Sequence, residues 1–213
     1  MFTEEAFLVT KDWTNVTRTI HTPEGNLLIS GTTSPQTLSM LNMDLQLKSF
    51  RPAKRQKAAL MEISELTDGK VVTAQLNGDL VGYITFHPPD EFERWSQGPK
   101  KVLELGAIEV SPVVRKYGIA RNMLEVAFED PVMEDYIVLA TEYYWHWDLE
   151  GTGMHIWEYR EMMRRLMEHV HLVVKDTDDE EISSHPANML MVRYGKNVST
   201  PTIRAFEQLL FSE

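Results

Sequence analysis

Apolar and polar residues recur along the chain with the periods of strands and of helices, and their order predicts a mixed sheet covered by helices. Two hairpins come first, at 16–30 and at 71–86. The second turns at Asn77-Gly78, a dipeptide typical of tight hairpin turns. Largely apolar runs at 102–110 and 136–141 predict buried central strands. A hairpin followed by a strand, a helix and another strand is typical of an α/β or α+β fold.

Helices are predicted where apolar residues are three or four positions apart. Ser34-Pro35 gives the first of them a serine cap and a proline at the first helical position. The helical segments are expected at 35–41, 53–66, 119–128, 154–169, 186–194 and 201–210. The last two, separated by Gly195, are expected to close the fold as additional C-terminal helices, and Leu172–Val174 is expected to form a short strand.

The segment between the first central strand and the next helix is suited to hold phosphate. Ser111-Pro112 ends the strand, and Arg115-x-x-Gly118-x-Ala120 leads directly into the helix. N–H groups at a helix start are unpaired, and the helix dipole favours an anion there. Small residues let phosphate approach the backbone, and neighbouring cations add attraction. We therefore expect a pyrophosphate-bearing ligand, although the segment lacks the glycine pattern of a dinucleotide-binding turn and the G-K-[ST] of a P-loop.

Composition narrows the classes of function. The 213 residues suffice for one sizeable domain, and the absence of cysteine excludes disulfides and a thiol nucleophile. No apolar run approaches the ~20 residues of a membrane span, and the acidic start at residues 1–5 is unlike a signal peptide, so we expect a cytoplasmic protein and no membrane partner. The net charge of −11 argues against nucleic acid as a partner. The acidic run at 176–181 is interpreted as a solvated loop, with a docking site for a basic protein as the alternative.

The pattern V-x-P-x-x-R-x-x-G-x-A after an apolar strand resembles the coenzyme A loop of the GNAT N-acetyltransferases, and the order of elements over 60–142 resembles that family too. The resemblance implies an α/β (α+β) fold whose mixed central sheet has two splayed central strands and a cleft for the pantetheine arm. It implies acetyl-CoA as acetyl donor and a single GNAT-like domain over 1–213, with a core at about 17–195 and a C-terminal helix at about 200–211. The coenzyme-binding residues that it implies are Ile108, Val110, Arg115, Lys116, Tyr117, Gly118, Ile119, Ala120 and Arg121.

One departure from the family concerns the proton donor. Many GNAT enzymes carry a late tyrosine that can protonate the leaving thiolate. In this chain Met191 stands at the corresponding place of the nearest similar segment, 188–195. The general acid therefore stays open, with Tyr143 and Tyr144 as candidate replacements.

A closer resemblance, to the acetoin-utilisation acetyltransferases within this family, extends over most of the chain. Its segments are 141–160, Arg51-Pro52, 93–96, 104–112 and 181–188. It implies a protein lysine acetyltransferase that modifies acetyl-CoA synthetase and turns it down. Two alternatives remain: an acetyltransferase for small amines, and a regulator that binds acetyl-CoA and inhibits a partner by occupancy.

Acetyl transfer to lysine needs a base, because the amine is mostly protonated near neutral pH. GNAT relatives carry a base at or near the position of Glu104, on the expected cofactor strand. Alternation puts Glu104 on the same face as Ile108 and Val110, and Glu109 on the other. If the first face looks into the cleft, Glu104 is the base, but a bulge would change this parity. Glu142, at the end of the next central strand, is the rival.

The aromatic segment after that second strand is expected near the acceptor. Tyr143, Trp145 and Trp147 are the candidate acceptor-binding residues, because they directly follow the central strand. His146 and His155 lack the short spacing of common zinc patterns, so no metal site is expected.

Overall fold

The computed structural model describes residues 13–211, so the acidic start at residues 1–5 and the last two positions of the chain lie outside the described residues. None of the helices formed by residues 13–211 is both long enough and apolar enough to cross a membrane.

Nine strands are formed in this part of the chain. They are β1 (Thr17–Thr22), β2 (Gly25–Ser30), β3 (Asn42–Met43), β4 (Lys70–Leu76), β5 (Asp79–His87), β6 (Val102–Val110), β7 (Ile137–Glu142), β8 (Val173–Lys175) and β9 (Met189–Tyr194). The α-helices are α1 (Pro35–Met40), α2 (Ala53–Glu65), α3 (Ile119–Phe128), α4 (Leu149–Thr152), α5 (Ile156–Glu168), α6 (Glu180–Ser183) and α7 (Thr200–Glu207).

The strands of residues 13–211 belong to one sheet in the order β1-β2-β4-β5-β6-β7-β9-β8, with β3 paired to β5 outside this path. Along that order the neighbours are antiparallel except β6 and β7, which are parallel. Apolar side chains of α3 and α5 pack on one face of the sheet, and those of α1, α2 and α7 pack on the other. The predicted mixed sheet with helices on both faces is confirmed.

The prediction of a helix at 186–194 is wrong, because this segment contains the strand β9. Its apolar run Met189–Val192 is buried on both faces of the sheet, so the alternation that would have marked a strand is missing. A short continuous apolar run cannot be assigned to helix or strand from its period alone. The structure therefore has one of the two predicted closing helices, α7, within the described residues.

The splayed central strands are confirmed. β6 and β7 are paired over three positions only, from Val102 opposite Ile137 to Glu104 opposite Leu139. Beyond that point β6 continues along β5, and β7 continues along β9, so a gap opens between them.

A β-bulge in β6 lies at the start of this gap. Thr85 of β5 is opposite Ala107, but the next residue, Phe86, is opposite Leu105, so Gly106 is an extra residue on β6. One inserted residue reverses the face of every side chain that follows it. This bulge decides which side chains of β6 share a face.

A buried ion pair ties the start of β4 to the segment that follows α3. The Lys70 ammonium lies 2.6 Å from a carboxylate oxygen of Asp130, and both side chains are fully buried. The Trp13 ring lies 4.7 Å from the ammonium. Burial lowers the pKa of Lys70 in spite of its carboxylate partner.

Candidate active site

A cavity of about 500 Å³ opens where β6 and β7 separate. Its walls come from β6, the start of α3, the end of β7 with the segment that follows it, and α5. Ser49 and Phe50, from the loop after β3, line it as well. The Phe50 ring lies 5.5 Å from the His146 ring, so the two loops meet beside the cavity.

The start of α3 at this cavity fits an anion. A short 3-10 turn, Arg115–Tyr117, leads to Gly118, whose φ of 68° is left-handed. Within the described residues, no side chain caps the first N–H groups of α3. A Cβ added at Gly118 would have its nearest neighbour, the Asn122 amide nitrogen, at 3.8 Å, so the space above the glycine is open. A pyrophosphate needs unpaired N–H groups and such open space.

Most of the predicted coenzyme-binding residues line the cavity. These are Ile108, Val110, Arg115, Lys116, Gly118, Ala120 and Arg121. Two others do not: the Tyr117 hydroxyl donates a hydrogen bond to Glu24 at 2.8 Å, and the Ile119 side chain is fully buried in the core. The loop pattern predicted a segment that lines the cavity, but it could not tell which side chains turn away from the cavity.

Two of the three cations at the loop are held by protein groups. Arg115 donates from Nε to the Val110 carbonyl at 2.9 Å and from Nη1 to Asp148 at 2.6 Å. Burial opposes the Asp148 charge, but hydrogen bonds from Arg115 and the Gly151 N–H hold the pKa of Asp148 below its ordinary value. Arg121 donates to His169 at 2.9 Å and to Glu125 at 3.1 Å. The cationic loop is therefore ordered by its own partners.

The expectation that Glu104 shares a face with Ile108 and Val110 is wrong, because the bulge at Gly106 intervenes. Ile108 and Val110 pack against the core under α3, and Glu109 contacts Tyr83 on the other face. Glu104 lies on the Glu109 face, since an extra residue separates it from the following positions. Glu104 is not among the residues that line the cavity.

Glu104 is linked to the cavity through a hydroxyl. Its Oε1 accepts a hydrogen bond from the Thr141 hydroxyl at 2.9 Å, and Thr141 lines the cavity. Its carboxyl group also shares a hydrogen bond with Glu93. Burial raises the pKa of Glu104, and burial together with Glu104 raises the pKa of Glu93 to about 7. The two side chains form a carboxyl pair next to the active-site wall.

Glu142 lies directly on the cavity at the end of β7. Its side chain is only 9% exposed, and its Oε2 accepts a hydrogen bond from the Trp147 indole N–H at 3.1 Å. Burial raises the pKa of Glu142, and the Trp147 hydrogen bond reduces that shift. A buried carboxyl group with a raised pKa in a cleft is suited to accept a proton near neutral pH.

Glu109 has a structural role that alternation did not reveal. Its Oε1 accepts the backbone N–H groups of Lys48 at 2.8 Å and Ser49 at 2.7 Å, and its Oε2 accepts the Tyr83 hydroxyl at 2.6 Å. These bonds hold the loop whose Ser49 and Phe50 line the cavity. The sequence signal for this role would be a charged residue inside an apolar strand, which must find partners when buried.

The three predicted acceptor-binding residues lie close together, and two of them line the cavity. Trp147 lines it and stacks on Tyr159 with ring centroids 5.2 Å apart. Tyr143 also lines it and stacks on Trp145 at 4.8 Å. Trp145 is 49% exposed and lies outside the cavity wall. Sequence reasoning missed Tyr159, which is on α5 and lines the cavity only because the fold packs α5 against it.

Met191 is fully buried between β7 and β8, so it supplies core packing. The tyrosines that line the cavity are Tyr143 and Tyr159, and burial raises the pKa of both hydroxyls. Tyr144 instead rests on His185, with ring centroids 4.2 Å apart. Among residues 13–211, no group of three or more histidine or acidic side chains is arranged to hold a metal ion.

Comparison with known proteins gives the family. Residues 41–144 match the acetyltransferase (GNAT) family. The acetoin utilization protein AcuA of Bacillus licheniformis is 47% identical over 193 residues, covering 90% of this chain and 92% of that protein. AcuA of Bacillus subtilis strain 168 is 46% identical over 193 residues, which cover 90% of this chain and 92% of that protein. A crystal structure of an acetoin utilization protein from Exiguobacterium sibiricum 255-15 superposes with a TM-score of 0.92 at 43% identity, covering 94% of this chain and 96% of that one. The chain belongs to the GNAT family of N-acetyltransferases.

Proposed function

We propose that this protein transfers the acetyl group of acetyl-CoA to a lysine side chain of a protein, that the acceptor is acetyl-CoA synthetase, and that the modification turns the synthetase down. The names of the similar AcuA proteins support a role in acetoin utilisation. We assign the reaction to the cytoplasm, in keeping with a chain that contains no cysteine.

The observation that carries the proposal is the difference in chemistry between the two ends of the cavity. At one side, the open start of α3 and the loop cations suit the coenzyme pyrophosphate. At the other, the buried carboxyl group of Glu142 faces the same cavity. When bound, acetyl-CoA supplies an activated thioester, and the chain must supply orientation and proton transfer.

Glu142 is the base that the geometry favours. In the transfer, the acceptor nitrogen bonds to the acetyl carbon, the carbon–sulfur bond breaks, and the amine proton passes to a carboxylate. Glu142 lines the cavity, whereas Glu104 reaches it through the Thr141 hydroxyl. Glu104 stays as the second candidate base, because the carboxyl pair that it forms with Glu93 can hold the proton.

A tyrosine hydroxyl returns a proton to the departing thiolate in this scheme. Tyr159 and Tyr143 are the candidates, because both line the cavity. The absence of cysteine from the sequence leaves no thiol to carry the acyl group, so transfer is direct.

The acceptor side is assigned to Tyr143, Trp145 and Trp147. Their rings form a surface at the end of β7 that can bury the aliphatic stem of a lysine. Trp147 also orients Glu142 through its indole N–H, which couples this surface to the base.

The test is to incubate the purified protein with acetyl-CoA and with either acetyl-CoA synthetase or small amines, and to follow mass. We expect one synthetase lysine to gain an acetyl group and synthetase activity to fall. Acetylation of small amines alone would make the protein a small-amine acetyltransferase. Stable binding of the synthetase with no change in mass would make it a binding regulator.

A further inference from the structure

A partly exposed group of aromatic rings lies beside the active-site cavity. We call it the aromatic rim, and it consists of Tyr143, Tyr144, Trp145, Trp157 and His185. Trp145 and Trp157 are 49% and 48% exposed, which is unusual for the largest apolar side chain. Exposed aromatic surface of this kind marks a site of interaction.

The aromatic rim is continuous with the cavity. Tyr143 belongs to both, and Trp145 stacks on it with an angle of 11° between the ring planes. Tyr144 connects Trp145 to His185, and the His185 ring lies 6.5 Å from the Trp157 ring. A molecule resting on the rim therefore has direct access to the cavity.

Acidic residues border the aromatic rim. The Tyr143 hydroxyl bonds to Glu181, and both Asp179 and Glu181 raise the pKa of Tyr143 in addition to its burial. Glu180, next to them at the start of α6, is exposed to solvent on the same short helix. The run at 176–181, interpreted above as a solvated loop, is thus fixed beside the active site.

One cation offsets part of this charge. Arg94 lies 2.5 Å from Asp178 and 3.6 Å from Asp179. The loop before Arg94 adds further acid, because Asp90 and Glu91 are exposed there. The border of the rim therefore remains acidic, in contrast to the cationic loop at the start of α3.

We propose that the aromatic rim docks the acceptor segment that carries the reactive lysine, and that this segment has further lysine or arginine residues beside that lysine. Cationic side chains interact favourably with the faces of exposed tryptophan rings, and their aliphatic parts cover apolar surface. The acidic border attracts the same cations. This inference rests on the proposed function, and it adds where the acceptor segment binds and that the segment is positively charged.

A second copy of this chain fits the rim poorly. In a symmetric dimer the same patch meets itself, so the acidic starts of two α6 helices would approach each other. The chain also carries a net charge of −11, which opposes self-association. A cationic partner has neither difficulty.

The test measures binding of labelled peptides to the full chain by fluorescence anisotropy. Three peptides of equal length carry a central lysine flanked by arginine, by serine or by glutamate. We expect the arginine-flanked peptide to bind about tenfold more tightly than the serine-flanked one, and this difference to shrink at high salt. Equal affinities, or an affinity difference that salt leaves unchanged, would overturn the proposal.

Variants locate the binding surface. Trp157→Ala and Glu180→Lys should each weaken arginine-peptide binding by about fivefold or more, while coenzyme A binding is retained. Glu62→Lys is the matched control, because Glu62 is exposed on α2, which packs on β4 and β5 away from α6. An equal loss in Glu62→Lys and Glu180→Lys would mean a general charge effect and refute docking at the rim.

Two further readouts separate this inference from the proposed function. If acetyl-CoA synthetase is acetylated but the peptides show no charge preference, the docking proposal fails and the function stands. If the arginine-flanked peptide binds as expected but no lysine gains an acetyl group, the function fails. Sedimentation that shows a dimer lost in Trp157→Ala would identify the rim as a self-association surface and overturn the proposal.

Discussion

Replacing Gly118 by aspartate tests the coenzyme loop with a single added charge. Gly118 has a φ of 68°, a conformation that aspartate and asparagine tolerate better than other side chains. A Cβ added at Gly118 would lie 3.8 Å from its nearest neighbour, so an aspartate or asparagine side chain fits there and the fold should survive. The perturbation is therefore electrostatic.

Its magnitude follows from the exposure of the loop. A carboxylate about 4 Å from a phosphate charge is repelled by ~1 kcal/mol in bulk water and by ~4 kcal/mol at an effective dielectric constant of about 20. For a loop at the cavity edge we expect a value between these limits. Gly118→Asp should thus weaken coenzyme A binding by about tenfold to a few hundredfold.

Gly118→Asn is the matched control, because it has the same size and backbone tolerance without the charge. Calorimetric titration with coenzyme A should give the asparagine variant an affinity within about threefold of the parent, since only the charge is expected to oppose binding. The gap between the two variants should narrow as ionic strength rises. Equal affinities of the folded Asp and Asn variants would refute the assignment of pyrophosphate to this helix start.

Further substitutions address the base, the aromatic segment and the buried ion pair. Glu142→Gln should lower turnover by about 10²- to 10⁴-fold with little change in the Michaelis constant for acetyl-CoA, and a larger loss in Glu104→Gln would move the base to Glu104. Because the pKa of Glu142 is raised, the acid limb of the pH–rate profile of the unmodified protein should lie above the usual carboxyl range. Trp147→Ala removes the hydrogen bond to the Glu142 carboxylate and should move that limb to higher pH. A limb that does not move would contradict this reasoning. Trp145→Ala should impair protein acetylation and leave coenzyme binding and thermal stability nearly intact, so a normal acetylation rate would remove Trp145 from the acceptor surface. Lys70→Met should cost about 3–5 kcal/mol in urea unfolding, because it leaves a buried carboxylate unpaired, and a loss below about 1 kcal/mol would contradict that reasoning.

Local sequence was sufficient for the elements whose signals are local. The hairpin at Asn77-Gly78 and the strand that leads through Gly118 into α3 are formed as predicted, because turn residues and helix-start chemistry act over a few positions. The splayed strands followed from the family resemblance. These features form the end of the cavity where we propose that the coenzyme binds.

The missed features depend on partners that are distant along the chain. The bulge at Gly106 is a property of the pairing between β5 and β6, so counting alternate residues in β6 alone gave the wrong face for Glu104. β9 is covered on both faces, which removes the strand period. Tyr159 reaches the cavity through the packing of α5, and Asp148 meets Arg115 across 33 positions. No local pattern encodes such contacts.

A crystal structure of the protein with coenzyme A bound tests the central claim most directly. We expect the pyrophosphate at the N–H groups that begin α3, with the thiol end inside the cavity between β6 and β7 on the side of Glu142. Coenzyme bound elsewhere, for example in the cavity lined by Trp13, Ser30 and Thr33, would contradict the assigned site. A thiol end that faces Glu104 and turns away from Glu142 would contradict the assigned base.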